Sequence, residues 1–201
     1  ITMVTLGNGA TQAVSEQIAS LGSNLVIIRP GKRLGPGRDE AGSPNFKAAD
    51  ADAIVAQISA LNAVAPVASK SVTVVYTAKN WSTTITGSTD AYFTTGNWRL
   101  AAGRLFTDAE QRAGKAVCVI GATVRKELFG EQMPVGDQLR IKNFACEVIG
   151  LLQSKGQSTM GMDQDDTIVM PLRTLQRRLT GTQDVNTLMV SVQDGANTDR
   201  I

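Results

Sequence analysis

Two strand–helix–strand patterns stand at opposite ends of this chain, with a mixed segment between them long enough to form a lobe. On the N-terminal side, NLVIIRP reads as a short buried strand stopped by Pro30 and Gly31. KAADADAIVAQISAL reads as a helix with Ile54, Val55, Ile58 and Leu61 on one side, and SVTVVYTAKNWSTTITGST as an alternating, β-branched hairpin with Lys79-Asn80 at its tip. On the C-terminal side, TIVM is a strand, PLRTLQRRLTG a helix opened by Pro171 and closed by Gly181, and VNTLMVSVQ another strand. Two such units commonly share a sheet. The expected fold class is therefore α+β, with residues 23–87 and 151–201 forming one subdomain and residues 88–150 an inserted mixed α/β lobe. An inserted lobe needs its two ends close together, which the joined flanking halves would provide.

Within the mixed segment, strands are expected at Ala116 to Ile120, Gln138 to Ile141 and Phe144 to Leu152. Thr107 and Glu110 form a capping-box pair at the start of a short helix, and ATVRKELFG is another, closed by Gly130. Cys118 and Cys146 both fall in strand-like runs. Two readings stand: buried small hydrophobes, which is the simpler, or a bridge between neighbouring strands.

Composition removes several function classes. With 42% hydrophobic and 19% charged residues, the chain has the make-up of a folded domain. A net charge of +2 spread along 201 residues gives no broad basic face, so nucleic acid is not an expected partner. There is no histidine, which excludes imidazole metal sites and Ser-His-Asp or Cys-His catalysis. No catalytic, metal or cofactor site is expected. No apolar run reaches the roughly 20 residues needed to cross a bilayer. The sequence starts at Ile1 rather than methionine and reads as a piece of a longer chain, so a missing signal peptide carries no information about location.

The opening ITMVTLGNGATQAVSEQIASLG admits two readings. Gly7-x-Gly9 matches the start of a dinucleotide-binding turn, but the third position falls on Gln12, where a bulky amide would hold helix and strand apart. An NADP-binding enzyme is accordingly the most distant alternative. The other reading is one helix, with Val14, Ile18 and Leu21 as an apolar stripe and Gln12, Glu16 and Gln17 away from it. Its first residues, ITMVTL, are mostly apolar and its polar stripe begins at Asn8, as expected of a helix leaving a membrane. Residues 1–22 are then a stalk, with Gln12, Val14, Gln17, Ile18 and Leu21 as the coupling helix.

MGMDQDDT groups Met160, Met162, Asp163, Asp165 and Asp166. The D-x-[DN]-x-[DN]-G calcium pattern fails, since Ile168 stands where glycine belongs. These carboxylates either keep a loop solvated or present a charged edge to a partner, with the methionines as adaptable contacts or as packing beneath the loop. Arg173, Arg177 and Arg178 are expected to face the negative pole of their helix, a reading that outweighs phosphate or lipid binding. Arg29, Lys32, Arg33 and Arg38 read as a solvated loop, and Trp81 and Trp98 as packing residues.

Three stretches carry a resemblance. LGNGATQAVSEQIASLGSNLVIIRPG resembles the join between the first transmembrane helix and the extracytoplasmic domain of MacB-type ABC transporter permeases. GRLFTDAEQRAGKAVCVIGATVRKELFGEQMPVGDQLRIKNFACEVIGLL is similar to the middle of that domain, and KGQSTMGMDQDDTIVMPLRTLQRRLTG to its C-terminal signature. The resemblance implies a periplasmic domain of an inner-membrane protein, with a Porter-like subdomain carrying a Sabre-like insertion. It further implies a homodimeric permease, an ATPase domain or subunit in the cytoplasm, a periplasmic adaptor and an outer-membrane channel. The implied role is to couple ATP hydrolysis to export of macrolide-like drugs, peptides or toxins by mechanotransmission, with antibiotic resistance as a consequence. A lipoprotein-releasing or hydrolase-activating permease of the same architecture is the alternative. The chain itself lacks a GxxxxGK[ST] phosphate loop.

Overall fold

The computed structural model describes residues 25–30, 45–59, 61–158 and 161–192. The stalk expected over residues 1–22 lies outside the described residues, as do Lys32, Arg33 and Arg38. Among the described residues, nine strands form one connected sheet. β1 (Leu25–Ile28) pairs antiparallel with β9 (Thr187–Val192), and β9 pairs with the first half of β2 (Leu61–Tyr76). From Ala68 onward β2 changes partner and forms a hairpin with β3 (Lys79–Ser88).

β3 runs parallel to β8 (Thr167–Pro171), and β8 antiparallel to β5 (Val117–Ile120). Next comes β7 (Phe144–Leu152), which is parallel to β5 and takes β6 (Gln138–Ile141) on its first residues and β4 (Leu100–Gly103) on its last. β6 then reaches back to β2, with Val74 opposite Ile141. The order β2–β3–β8–β5–β7–β6–β2 is therefore a closed ring, which leaves those strands no free edge. β7 crosses the expected boundary at 150–151, and β5 of the expected insertion hydrogen-bonds to β8 of the expected flanking half. The sheet is continuous across that division.

Alternation along β5 separates two cores. Cys118 and Ile120 point into the main one with Val74, Ile85, Leu139, Ile141 and Ile168, whereas Val117 and Val119 meet Phe93, Phe106, Ile149, Leu152 and Val169 on the other side. Cys118 and Cys146 are wholly buried and joined as a disulfide, their Cα atoms 6.0 Å apart. The bridge between neighbouring strands is thus the reading the structure adopts over two reduced thiols.

Local signals set most element ends. α1 (Ala48–Gln57) starts where the Asp50 carboxylate accepts the Lys47 N–H at 2.7 Å. Its inward face is Ala51 and Ile54, and not the four residues expected: Val55 is 55% exposed and Leu61 already opens β2. Residues 51 and 54 share a helical face, while residue 55 is turned about 100° from 54. The β2–β3 turn also falls earlier than expected, at Thr77-Ala78, with Thr77 at φ 50° and Tyr76 opposite Lys79. Tyr76 accounts for this placement: its ring lies 4.1 Å from that of Phe129 and its hydroxyl donates to Asp137 at 2.8 Å.

α2 (Ala91–Thr95) packs on β2 and β9, and α4 (Ala122–Phe129) against β2, β3, β7 and β8, ended by Gly130 at φ 64°. α5 (Leu172–Leu175) lies on β3 because Gly87 has no side chain; a Cβ there would stand 2.6 Å from that of Leu175. The helix continues as a π-helical turn over Gln176–Thr180 and stops at Gly181, in the left-handed region.

α3 (Asp108–Ala113) has the capping box foreseen from Thr107 and Glu110: Glu110 N–H donates to Thr107 Oγ1 at 3.3 Å, and Thr107 N–H to Glu110 Oε2 at 2.9 Å. The same carboxylate accepts both Arg104 guanidinium nitrogens, at 2.8 and 3.0 Å. Arg104 first, then the Thr107 N–H, hold the Glu110 pKa down to about 2 from an ordinary 4.5. A depressed carboxylate stabilises the fold above its unfolded pKa and loses that contribution as pH falls through the folded one. Because Arg104 is half exposed, screening reduces the effect to about 1–2 kcal/mol. Glu110→Gln should therefore lower the urea midpoint at pH 7 and flatten the fall in stability between about pH 4.5 and 2.

Candidate functional site: the loop between β7 and β8

The acidic cluster sits on a loop that leaves β7 at Leu152 and enters β8 at Thr167. The loop folds back on itself: Gln157 bridges Asp163, Ser158 N–H donates to Met162 O at 2.8 Å, and Gln164 N–H to Gly156 O at 3.1 Å. Gly156 and Gly161 supply left-handed turns at φ 76° and 77°.

The three carboxylates go to three separate places. Asp165 is 4% exposed and points into the loop, where it accepts Lys155 N–H at 2.8 Å, Gly156 N–H at 3.0 Å and the Ser154 hydroxyl. Asp163 accepts the Thr123 hydroxyl at 2.6 Å and Asp165 N–H at 2.8 Å, which ties the loop to the start of α4. Asp166 accepts the Trp81 indole N–H at 2.9 Å, which ties it to β3. Asp165 therefore neither solvates the loop nor faces a partner. Its desolvation is offset by donors supplied from the loop's own backbone, which a spacing pattern does not reveal. Among the described residues no cluster suited to a metal ion is present. The outward-facing members of the expected contact set are Met162, 65% exposed at the turn, and Asp163; Met160 lies outside the described residues.

Residues unmarked by any motif complete the anchor. Lys155 is half-buried, its ammonium 4.3 Å over the Trp98 ring and donating to Gly96 O. Burial pushes its pKa down, against an opposing pull from Asp165. Trp98 packs on the second core and Trp81 on the main one, both as packing residues. At the other end, Gly121 caps α4 and donates its N–H to Thr167 O at 2.9 Å. A side-chain carbon on Gly121 would overlap the backbone carbonyl of Asp165. Gly121→Ala should consequently cost about 2–3 kcal/mol, read as a lowered thermal midpoint, because the atom in its way is backbone and cannot rotate aside.

The site is thus a rigid brace between β3, α4 and the end of α2, bearing one exposed methionine. The coupling residues Gln12, Val14, Gln17, Ile18 and Leu21 lie outside the described residues. The chain's two described ends do meet: Leu25 is opposite Ser191 and Ile28 opposite Leu188 in the β1–β9 ladder.

Comparison with known proteins gives a consistent picture. Residues 1–201 match the family model described as the MacB-like periplasmic core domain. The chain is 34% identical over 206 residues to the macrolide export ATP-binding/permease protein MacB of Syntrophobacter fumaroxidans, covering 100% of this chain and 29% of that protein. It is 37% identical over 202 residues to the protein of the same name from Rhodospirillum rubrum, covering 99% and 30%. Under a third of each relative's length is thus spanned. Among solved structures, the periplasmic region of MacB from Actinobacillus actinomycetemcomitans superposes with a TM-score of 0.74 at 24% identity, over 92% of this chain and 82% of that one. The extracellular domain of the noncanonic ABC-type transporter YknZ from Gram-positive bacteria does so at 0.70 and 22% identity, over 88% and 87%. Both share the fold.

Proposed function

Since the chain belongs to the family of MacB-like periplasmic core domains of ABC transporter permeases, we propose that it couples ATP hydrolysis in the cytoplasm to export of substrate from the outer face of the membrane. One observation carries the proposal: β1 and β9, the strands nearest the two ends of the chain, are antiparallel neighbours. Paired residues on such strands lie about 5 Å apart. A chain entering at Leu25 and leaving past Val192 can therefore hang from two membrane helices side by side, and a displacement of either helix acts on the same corner of the sheet.

In this reading residues 23–87 and 151–201 are the Porter-like part, and residues 88–150 are the Sabre-like lobe that moves with it. Pairing of β8 with β5 and of β2 with β6 makes the two a single lever, because a packed sheet passes on displacement that a loop would absorb. The parent works as a homodimer with an ATPase domain or subunit. A periplasmic adaptor and outer-membrane channel carry the cargo onward, which is macrolide-like given the names of the relatives. The coupling helix is the segment with Gln12, Val14, Gln17, Ile18 and Leu21, and Met162 with Asp163 and Asp166 is the contact edge.

Because the strand ends are adjacent, residues 26–190 can be replaced in the parent by a short Gly-Ser linker without drawing the flanking helices apart. The resulting protein should insert in the membrane and hydrolyse ATP but no longer export a macrolide. Export at the parental rate would refute the proposal.

A further inference from the structure

We propose that the cleft beside the π-helical turn binds carboxylate groups on an acidic segment of a protein partner. The cleft has a volume of about 290 Å³ and is lined by Arg173, Gln176, Arg177, Gly181, Thr182 and Gln183. It offers two guanidinium forks and three neutral polar side chains, with no carboxylate in its wall. Among the described residues neither arginine has an ion-pair partner. The acid next in sequence, Asp184, is already held by Lys47 at 2.6 Å and Asn45 at 3.2 Å.

The pole of the helix explains only part of this charge. Arg177 and Arg178 lie in the last turn, where cations are favoured. Arg173 lies in the first turn, and its guanidinium donates to Arg112 O on α3 and not to the carbonyls of its own helix end. That bond fixes one fork at the cleft wall, one helical turn from a second. Like charges at this spacing repel by a few tenths of a kcal/mol, so the pair is more favourable with an anion between them. A planar carboxylate matches the geometry of the arginine fork. The π-helical turn, a feature frequent at functional sites, forms part of the wall, and Gly181 leaves the mouth open.

The lining argues against other ligands. Among the described residues no exposed large apolar side chain borders the cleft to receive lipid chains, and its polar wall does not suit a macrolide. An acidic peptide fits the charge and the openness.

The test is titration of fluorescein-labelled hexaglutamate with the 201-residue chain at low ionic strength. Arg177→Gln should weaken binding at least fivefold. Arg178→Gln removes the same charge one residue along and outside the wall, and should change binding less than twofold. Matching thermal midpoints would show that both variants are folded. Absence of peptide binding, equal losses in the two variants, or binding to phosphatidylglycerol vesicles without binding to the peptide would each overturn the inference. None of these results bears on the export reading, which rests on the paired strand ends.

Discussion

Asp165→Ala should lower the stability of the domain by about 3–4 kcal/mol, a fall in thermal midpoint on the order of 10 °C. The carboxylate is buried and accepts Lys155 N–H, Gly156 N–H and the Ser154 hydroxyl. Removing it strands two part-buried backbone donors, and each such donor costs about 1–3 kcal/mol, with less than full additivity. Asp165→Asn should recover little of the loss, since half of the amide is itself a donor facing donors. Asp163→Asn is the control: Asp163 is exposed, its bond to Thr123 is at the surface, and the amide oxygen can still accept Asp165 N–H, so the change should cost under about 1 kcal/mol. Chemical denaturation of the three variants separates a buried brace from a merely charged loop.

The second large effect belongs to the disulfide. Replacing both cysteines, as Cys118→Ala with Cys146→Ala, should cost about 3–4 kcal/mol. The bond closes a loop of sequence separation 28, and the chain-entropy estimate for a loop of that length is about 3.6 kcal/mol. Both side chains are wholly buried beside Ile120, Leu139 and Val148, so the deletion also leaves small voids. In the native protein the bond should resist reductant until the domain opens; under mild denaturation with dithiothreitol, two thiols per chain should become titratable together. Two thiols titrating in the oxidised, unfolded protein would contradict the disulfide.

Much of the fold was legible because it is written in local signals. β6 and β7 span Gln138–Ile141 and Phe144–Leu152 as their apolar runs suggest, the Thr107–Glu110 cap forms as spaced, and Gly130 and Gly181 end their helices. What escaped depends on contacts distant in sequence. Leu61 matches a helical spacing and a strand equally well; pairing with β9 decides for the strand. Ring closure rests on β6 meeting β2 across more than sixty residues, which no window of sequence contains. Asp165 reads from composition as one of three equivalent acids, and only the backbone of residues 155 and 156, folded back beside it, sets it apart. Arg173 fits the end of its own helix by sequence, but its guanidinium is held by α3. Alternation foretells which side of a strand is buried, but not which strand lies next to it.

The central claim is that this domain transmits motion as a rigid lever from the membrane. The most direct measurement is the ratio of macrolide exported to ATP hydrolysed, in proteoliposomes of the parent protein carrying a flexible Gly-Ser insertion after Ser20. A second preparation should carry the same insertion at the exposed β2–β3 turn, between Thr77 and Ala78. The account predicts that the first insertion collapses the ratio while hydrolysis continues, and that the second leaves it near the parental value. An unchanged ratio with the insertion after Ser20 would contradict it.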